Sequence, residues 1–287
     1  MNGVVVVDKP GGMTSFDVVA RVRRVFGERR VGHTGTLDPM ATGVLPVCLG
    51  EATKLVPFLM SGDKAYEAEL RLGVTTDSAD ATGTVTSETS AAQVSRADVE
   101  RAIPGFVGTI QQTPPMHSAV RVGGKRLYEF ARAGVEVERA ARPVVVHAIE
   151  LLAFESPTVR ILVRCGKGTY IRALAADLGA VLGVGAHLTA LRRTQVGPFA
   201  IAQAVTLEAL AATTPLLSPA EALADHATVP LDEAQTRDVR AGKLRAIAEL
   251  RAPDGAGSHV RLLDARGTLV AVAEQHAGRL TLARVFC

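Results

Sequence analysis

Residues 3–7 (GVVVV) form a short apolar run closed by the turn formers Asp8, Lys9, Pro10, Gly11 and Gly12, a pattern that predicts a strand. Thr14 or Ser15 can then cap a helix. Val18, Val19, Val22, Val25 and Phe26 recur at helical spacing, with Arg21, Arg23 and Arg24 largely on the other faces. Residues 31–50 sustain neither a helical nor an alternating period, and their four glycines, two prolines and three threonines predict a long structured loop. Alternation returns at 65–74, a strand, followed by the turn-rich TTDSADATG at 75–83.

Residues 84–96 read as an exposed excursion, 97–103 as a short helix and 111–125 as a loop. Two neighbouring strands are predicted at 144–153 and 158–165; in the second, Val159, Ile161, Val163 and Cys165 share one face and Arg160 and Arg164 the other. A helix follows over 169–182, with Ile171, Leu174, Ala175, Leu178 and Leu182 on its apolar stripe and Gly183 at its end. The Pro- and Thr-bearing stretch 213–223 marks the domain boundary. Beyond it come a helix near 233–248 and three β-like runs at 259–264, 268–274 and 279–286, with a hairpin turn around Asp264–Gly267. This suits a small β-barrel-like appendage.

Composition narrows the class. At 287 residues with 47% hydrophobic and 21% charged positions, the chain can bury a sizeable core and is not dominantly disordered. The apolar run near the start is too short for a signal peptide, and no stretch approaches the roughly 18 apolar residues of a membrane span. Cys48, Cys165 and Cys287 are far apart and include no CxxC pair, against a disulfide framework or a cysteine zinc site and in keeping with a reducing cytoplasm.

The net charge of +3 is unevenly spread. Residues 160–195 carry six basic side chains against one acid, and residues 117–145 carry six against three, enough for a positive surface or simply for solvated faces. Aromatic residues make up only 4%, with Tyr66, Tyr128 and Tyr170 as the tyrosines, so few side chains can stack on a planar ligand.

Candidate chemistry concentrates in GHTGTLDPMATGVLP at 32–46, where Asp38 sits on a Gly- and Pro-bounded loop five residues after His33. On residue type alone Asp38 fits either an Asx turn or a functional carboxylate. No GxGxxG, GxxxxGK[ST] or HExxH motif supports a dinucleotide, nucleotide or zinc site.

That segment resembles the catalytic motif of TruB-type tRNA pseudouridine synthases, and four further groups match the family in order. They are Val7–Ser15; Lys64-Ala65-Tyr66 with Leu72-Gly73 and Thr76–Asp80; Gln112-Thr113-Pro114-Pro115 with Ser118-Ala119, Tyr128-Glu129 and Ala131-Arg132; and Lys167–Arg172 with Gly185–Leu188 and Leu191–Arg193. The resemblance implies an α+β pseudouridine synthase fold over 1–220, a mixed, largely antiparallel sheet with flanking helices. A PUA-type RNA-binding domain at 225–287 would follow, this last resemblance lying in position and strand content only. The activity implied is isomerisation of uridine 55 in the T-arm of tRNA.

By the same resemblance Asp38 is the nucleophile, Tyr66 stacks on the uridine and takes part in proton removal at C5, and Arg172 pairs with Asp38. A carboxylate suits the role because it can attack and also leave. His33 fills the space of the flipped base; Tyr170, Leu191, Asp80 and Lys9 surround the uridine, Asp80 either behind the site or on the RNA. Arg121, Lys125, Lys167, Arg192 and Arg193 meet the RNA backbone, Arg121 standing where the family often has lysine. No metal or cofactor is implied, nor a membrane or an obligate protein partner, and a cytoplasmic monomer is expected. Two other readings are an RNA-binding or RNA-folding module with little turnover, and a guide-dependent enzyme acting on ribosomal RNA.

Overall fold

The structure is a computed structural model that describes all residues except 119, 244–246, 248, 278 and 287, and leaves the Arg132 side chain undescribed. The chain divides into two compact units, one joining residues 1–37, 44–60 and 197–287, the other joining 38–43 and 61–196. The boundary expected at 213–223 falls inside the first unit.

In the first unit the strand Gly3–Lys9 pairs in parallel with Val205–Thr206. The helix Ser15–Phe26 begins at a capping box, Thr14 and Asp17 each bonding the other's backbone N–H, and ends at Gly27 in the left-handed region. Its Val18, Val19, Val22 and Phe26 pack on Val5, Val7, Leu45, Val47 and Leu49. Full burial stabilises each such side chain by roughly 1.5–3 kcal/mol. The expected loop at 31–50 is half strand: Val31–His33 runs antiparallel to the end of Thr42–Leu49, leaving only 34–41 irregular. Burial explains the difference, because a strand sunk in the core on both faces shows no alternation to read.

The C-terminal part of this unit is a four-stranded sheet in the order Ala227–Pro230, His259–Leu263, Leu269–His276, Arg279–Val285. The three expected β-runs are present. The fourth strand, Ala227–Pro230, pairs in parallel with His259–Leu263 and was not legible, since its proline and short length resemble linker. The expected helix near 233–248 spans Glu233–Arg240, while 244–246 and 248 lie outside the described residues.

The second unit carries an antiparallel sheet in the order Ala186–Val196, Lys64–Leu72, Thr158–Cys165, Arg142–Glu155, Gly108–Gln112. The first two residues of the Thr42–Leu49 strand join it in parallel, Thr42 beside Arg192 and Gly43 beside Arg193, which makes the sheet mixed. Residues paired across these strands share a face, so Val163, Tyr66 and Arg193 line up on one side, with Leu191 and Ala68 next along it. The helix Ile171–Val181 lies so close to the Ala186–Val196 strand that a Cβ on Gly179 would meet the Ala186 nitrogen at 2.2 Å. Among the described residues no helix is long and apolar enough to cross a membrane.

Candidate active site

Arg172 lies in the first turn of the Ile171–Val181 helix and is only 3% exposed. The sequence alone allows a solvated cation there; the structure buries it among acceptors from three segments. Its Nε donates to Asp38 Oδ2 at 2.9 Å, its Nη1 to the Ser78 carbonyl oxygen at 3.0 Å and its Nη2 to the His117 carbonyl oxygen at 2.7 Å. A second carboxylate, Asp80 Oδ2, stands 3.5 Å from Nε. A planar guanidinium can serve all these acceptors at once, whereas an ammonium could not.

The turn at 76–83 explains how Asp80 is held. Ala79 adopts φ 59°, and the Thr76 hydroxyl donates to the Asp80 carbonyl oxygen at 2.7 Å. Asp80 Oδ1 accepts from the Ser78 hydroxyl and from both the backbone N–H and the hydroxyl of Thr82. Main-chain bonds between Ala79, Ala81 and Leu188 pin the turn to the Ala186–Val196 strand. Asp80 is therefore committed to its loop and to Arg172, and it is buried. Asp38, with a side chain 35% exposed, is the carboxylate of the pair that an incoming substrate can reach.

Tyr66 is buried on the Lys64–Leu72 strand. Burial pushes its phenol above the usual range, the Arg193 guanidinium, which also hydrogen-bonds it, pulls the other way, and the Asp38 charge adds a further upward push. At neutral pH the hydroxyl is intact. Negative charge developing on its oxygen would form beside a guanidinium.

Arg193 is 2% exposed and stands behind Tyr66. This corrects the expectation of a surface phosphate contact, because neighbouring strand residues point to opposite faces: Arg193 aligns with Tyr66, and Arg192 aligns with Glu67 on the other side, half-buried. Arg192 Nη1 reaches the Thr42 hydroxyl at 3.4 Å. Arg121 and Lys125 are exposed on a two-residue hairpin, Arg121–Val122 against Lys125–Arg126, whose Gly123 and Gly124 take the positive φ values such a turn requires. Lys167 is exposed in the turn before Tyr170, the half-buried N-cap of the Arg172 helix. Leu191 is buried on the Tyr66 face.

Lys9 and His33 belong to the first unit. Lys9 is fully buried, its ammonium donating to the carbonyl oxygens of Pro10 and Met13 at 2.8 and 2.6 Å, a placement that corrects the expectation of a side chain open to uridine. His33 Nδ1 accepts from the Gly35 N–H at 3.2 Å, so the neutral ring carries its proton on Nε2, and Phe16 meets it edge-on with ring centroids 5.4 Å apart.

The second unit thus brings Asp38, Arg172, Asp80, Tyr66 and Arg193 together. Residues 23–171 match the TruB family pseudouridylate synthase N-terminal domain, and residues 172–235 match the tRNA pseudouridylate synthase B C-terminal domain. The chain belongs to the TruB family. It is 49% identical over 267 residues to a tRNA pseudouridine synthase B of Aromatoleum aromaticum, covering 91% of this chain and 85% of that one. A protein of the same name from Symbiobacterium thermophilum is 56% identical over 229 residues, 78% of this chain and 77% of that one. Among solved structures, a chain of a Cbf5–Nop10–Gar1 complex superposes with a TM-score of 0.78 at 27% identity, covering 99% of this TruB chain and 85% of its own.

Proposed function

We propose that this TruB-family enzyme isomerises uridine 55 in the T-arm of tRNA to pseudouridine, with Asp38 as nucleophile. The observation that carries the reading is the pairing of a reachable Asp38 carboxylate with a buried Arg172 whose other hydrogen bonds fix it to the fold.

The reaction breaks the N-glycosidic bond, turns the base and rejoins it through C5, with no redox change and no second substrate. Turning the uridine out of its loop costs a few kcal/mol, and stacking on an aromatic ring returns about 1–3 kcal/mol. Asp38 bonds the uridine while the base is detached and leaves when the new bond is made. Tyr66 stacks on the uridine and takes part in removing the C5 proton through its phenolate form, which the Arg193 guanidinium favours and which the C5 proton returns to the phenol. Arg172 holds Asp38, and Asp80 holds Arg172. Tyr170 and Leu191 line the uridine's surroundings, and His33 takes the place of the flipped base.

Arg121, Lys125 and Lys167, all exposed, supply phosphate contacts, and the sheet spanning 227–285 serves as the PUA-like RNA-binding appendage. The enzyme works as a cytoplasmic monomer with no obligate protein partner and no cofactor. Mapping pseudouridine in a full-length tRNA transcript after incubation with the enzyme tests the reading. A single new pseudouridine at position 55 supports it, and modification elsewhere or none contradicts it.

A further inference from the structure

The helix that carries Arg172 starts without a side-chain cap of its own, since its N-cap residue is Tyr170 in an extended conformation. The missing anchor comes from a distant strand. Gln112, the last residue of Gly108–Gln112, is 2% exposed and turns its amide onto the main chain of Tyr170. Its Nε2 donates to the Tyr170 carbonyl oxygen at 3.0 Å and its Oε1 accepts from the Tyr170 N–H at 2.7 Å. The Tyr170 carbonyl oxygen also accepts the first helical bond, from the Leu174 N–H at 3.1 Å. Both contacts need an amide in one orientation, because a carboxylate offers no donor to the carbonyl.

We propose that Gln112 is a positioning residue for the isomerisation, acting through Arg172. The clamp fixes the peptide two residues before Arg172. Gln112 is also the root of the loop that reaches His117, whose carbonyl oxygen accepts from Arg172 Nη2 at 2.7 Å. The clamp therefore ties the mount of the guanidinium to the root of the loop that carries one of its acceptors. A displacement of about 1 Å at such a mount can cost about a hundredfold in rate without removing any group that touches substrate. The inference rests on the roles given above to Asp38 and Arg172.

The test uses the full-length protein and a T-arm stem-loop carrying C5-tritiated uridine, with the single-turnover rate of tritium release and the stem-loop Kd measured separately. Gln112→Ala and Gln112→Glu should each lose about tenfold or more in rate while Kd stays within about twofold. Gln112→Met keeps the length of the side chain without a buried charge or either hydrogen bond, so it carries the test should these variants fold poorly. In an Arg172→Lys background, followed over hours, Gln112→Ala should add much less than it costs alone. A wild-type rate in any well-folded Gln112 variant, a loss confined to Kd, or full multiplication of the two losses would overturn the proposal. Wild-type and Asp38→Asn controls keep this separate from the functional reading: turnover lost in Asp38→Asn but kept in the Gln112 variants refutes only the clamp.

Discussion

Arg172 Nε donates to Asp38 Oδ2 at 2.9 Å across a steep gradient of exposure, the arginine side chain at 3% and the aspartate side chain at 35%. The buried partner is fixed and the carboxylate is open, so the protein settles the position of the proposed nucleophile before substrate arrives. This is the preorganisation that positional catalysis requires.

Replacing Arg172 tests that arrangement. Arg172→Lys supplies a charge without the fork, so turnover should fall by about a hundredfold or more while the protein stays folded. Arg172→Met leaves Asp38 and the buried Asp80 without their cation and should also lower stability by about 3–5 kcal/mol. Tritium release and thermal or denaturant unfolding read the two effects. A lysine variant with wild-type turnover would show that charge alone suffices.

Arg193 and Arg121 should behave as opposites despite their like charge. Arg193→Ala removes the guanidinium from Tyr66 and should lower the single-turnover rate, leaving stem-loop affinity and its salt dependence nearly unchanged. Arg121→Ala should weaken binding and reduce the magnitude of the slope of log K against log salt by about one. Filter binding across a salt series, beside single-turnover rates, separates them. A reversed pattern would return Arg193 to the RNA backbone.

Gly43 is demanded by its neighbour. It adopts φ 103°, and a Cβ there would lie 2.2 Å from the Arg193 carbonyl oxygen, a backbone atom that cannot swing away. Gly43→Ala should therefore destabilise by at least about 1–3 kcal/mol and lower turnover by shifting Arg193 and Tyr66. An unchanged melting temperature would contradict the close approach.

Burial pushes the Cys48 thiol up to about 12 and the Cys165 thiol up to about 11. Unfolded cysteines titrate near 8.5, so above that pH the unfolded chain releases protons that the folded chain keeps. The stability from these thiols is complete below about pH 8.5 and falls as pH rises, by about 1.4 kcal/mol per pH unit for each thiol until its folded pKa is reached. Denaturant unfolding between about pH 8 and 11 should show the loss, and Cys48→Ala should flatten it relative to wild type. A parallel pH slope in that variant would mean that Cys48 titrates normally in the folded protein.

Much of the second unit was legible because its signals are local. Alternation in 158–165 and helical spacing in 169–182 reappear as Thr158–Cys165 and Ile171–Val181. Motif resemblance points to Asp38, Tyr66 and Arg172, and the structure brings them together. What escaped depends on partners far along the chain. The second arginine of Leu191-Arg192-Arg193 looks like half of a basic pair until strand alternation turns it inward toward Tyr66. Lys9 looks available until the fold closes its ammonium over carbonyl oxygens. Gln112 carries no charge or ring to attract attention, and only its distance from the Tyr170 peptide reveals its place. The strand Thr42–Leu49 was hidden because full burial erases the alternation that identifies strands.

The most direct test of the central claim is single-turnover tritium release by Asp38→Asn on the T-arm stem-loop, with Kd measured on the same RNA. The substitution keeps the side chain's size and removes its nucleophilic charge. Release abolished with binding largely intact is the predicted result; turnover retained at a rate near wild type would show that Asp38 is not the nucleophile.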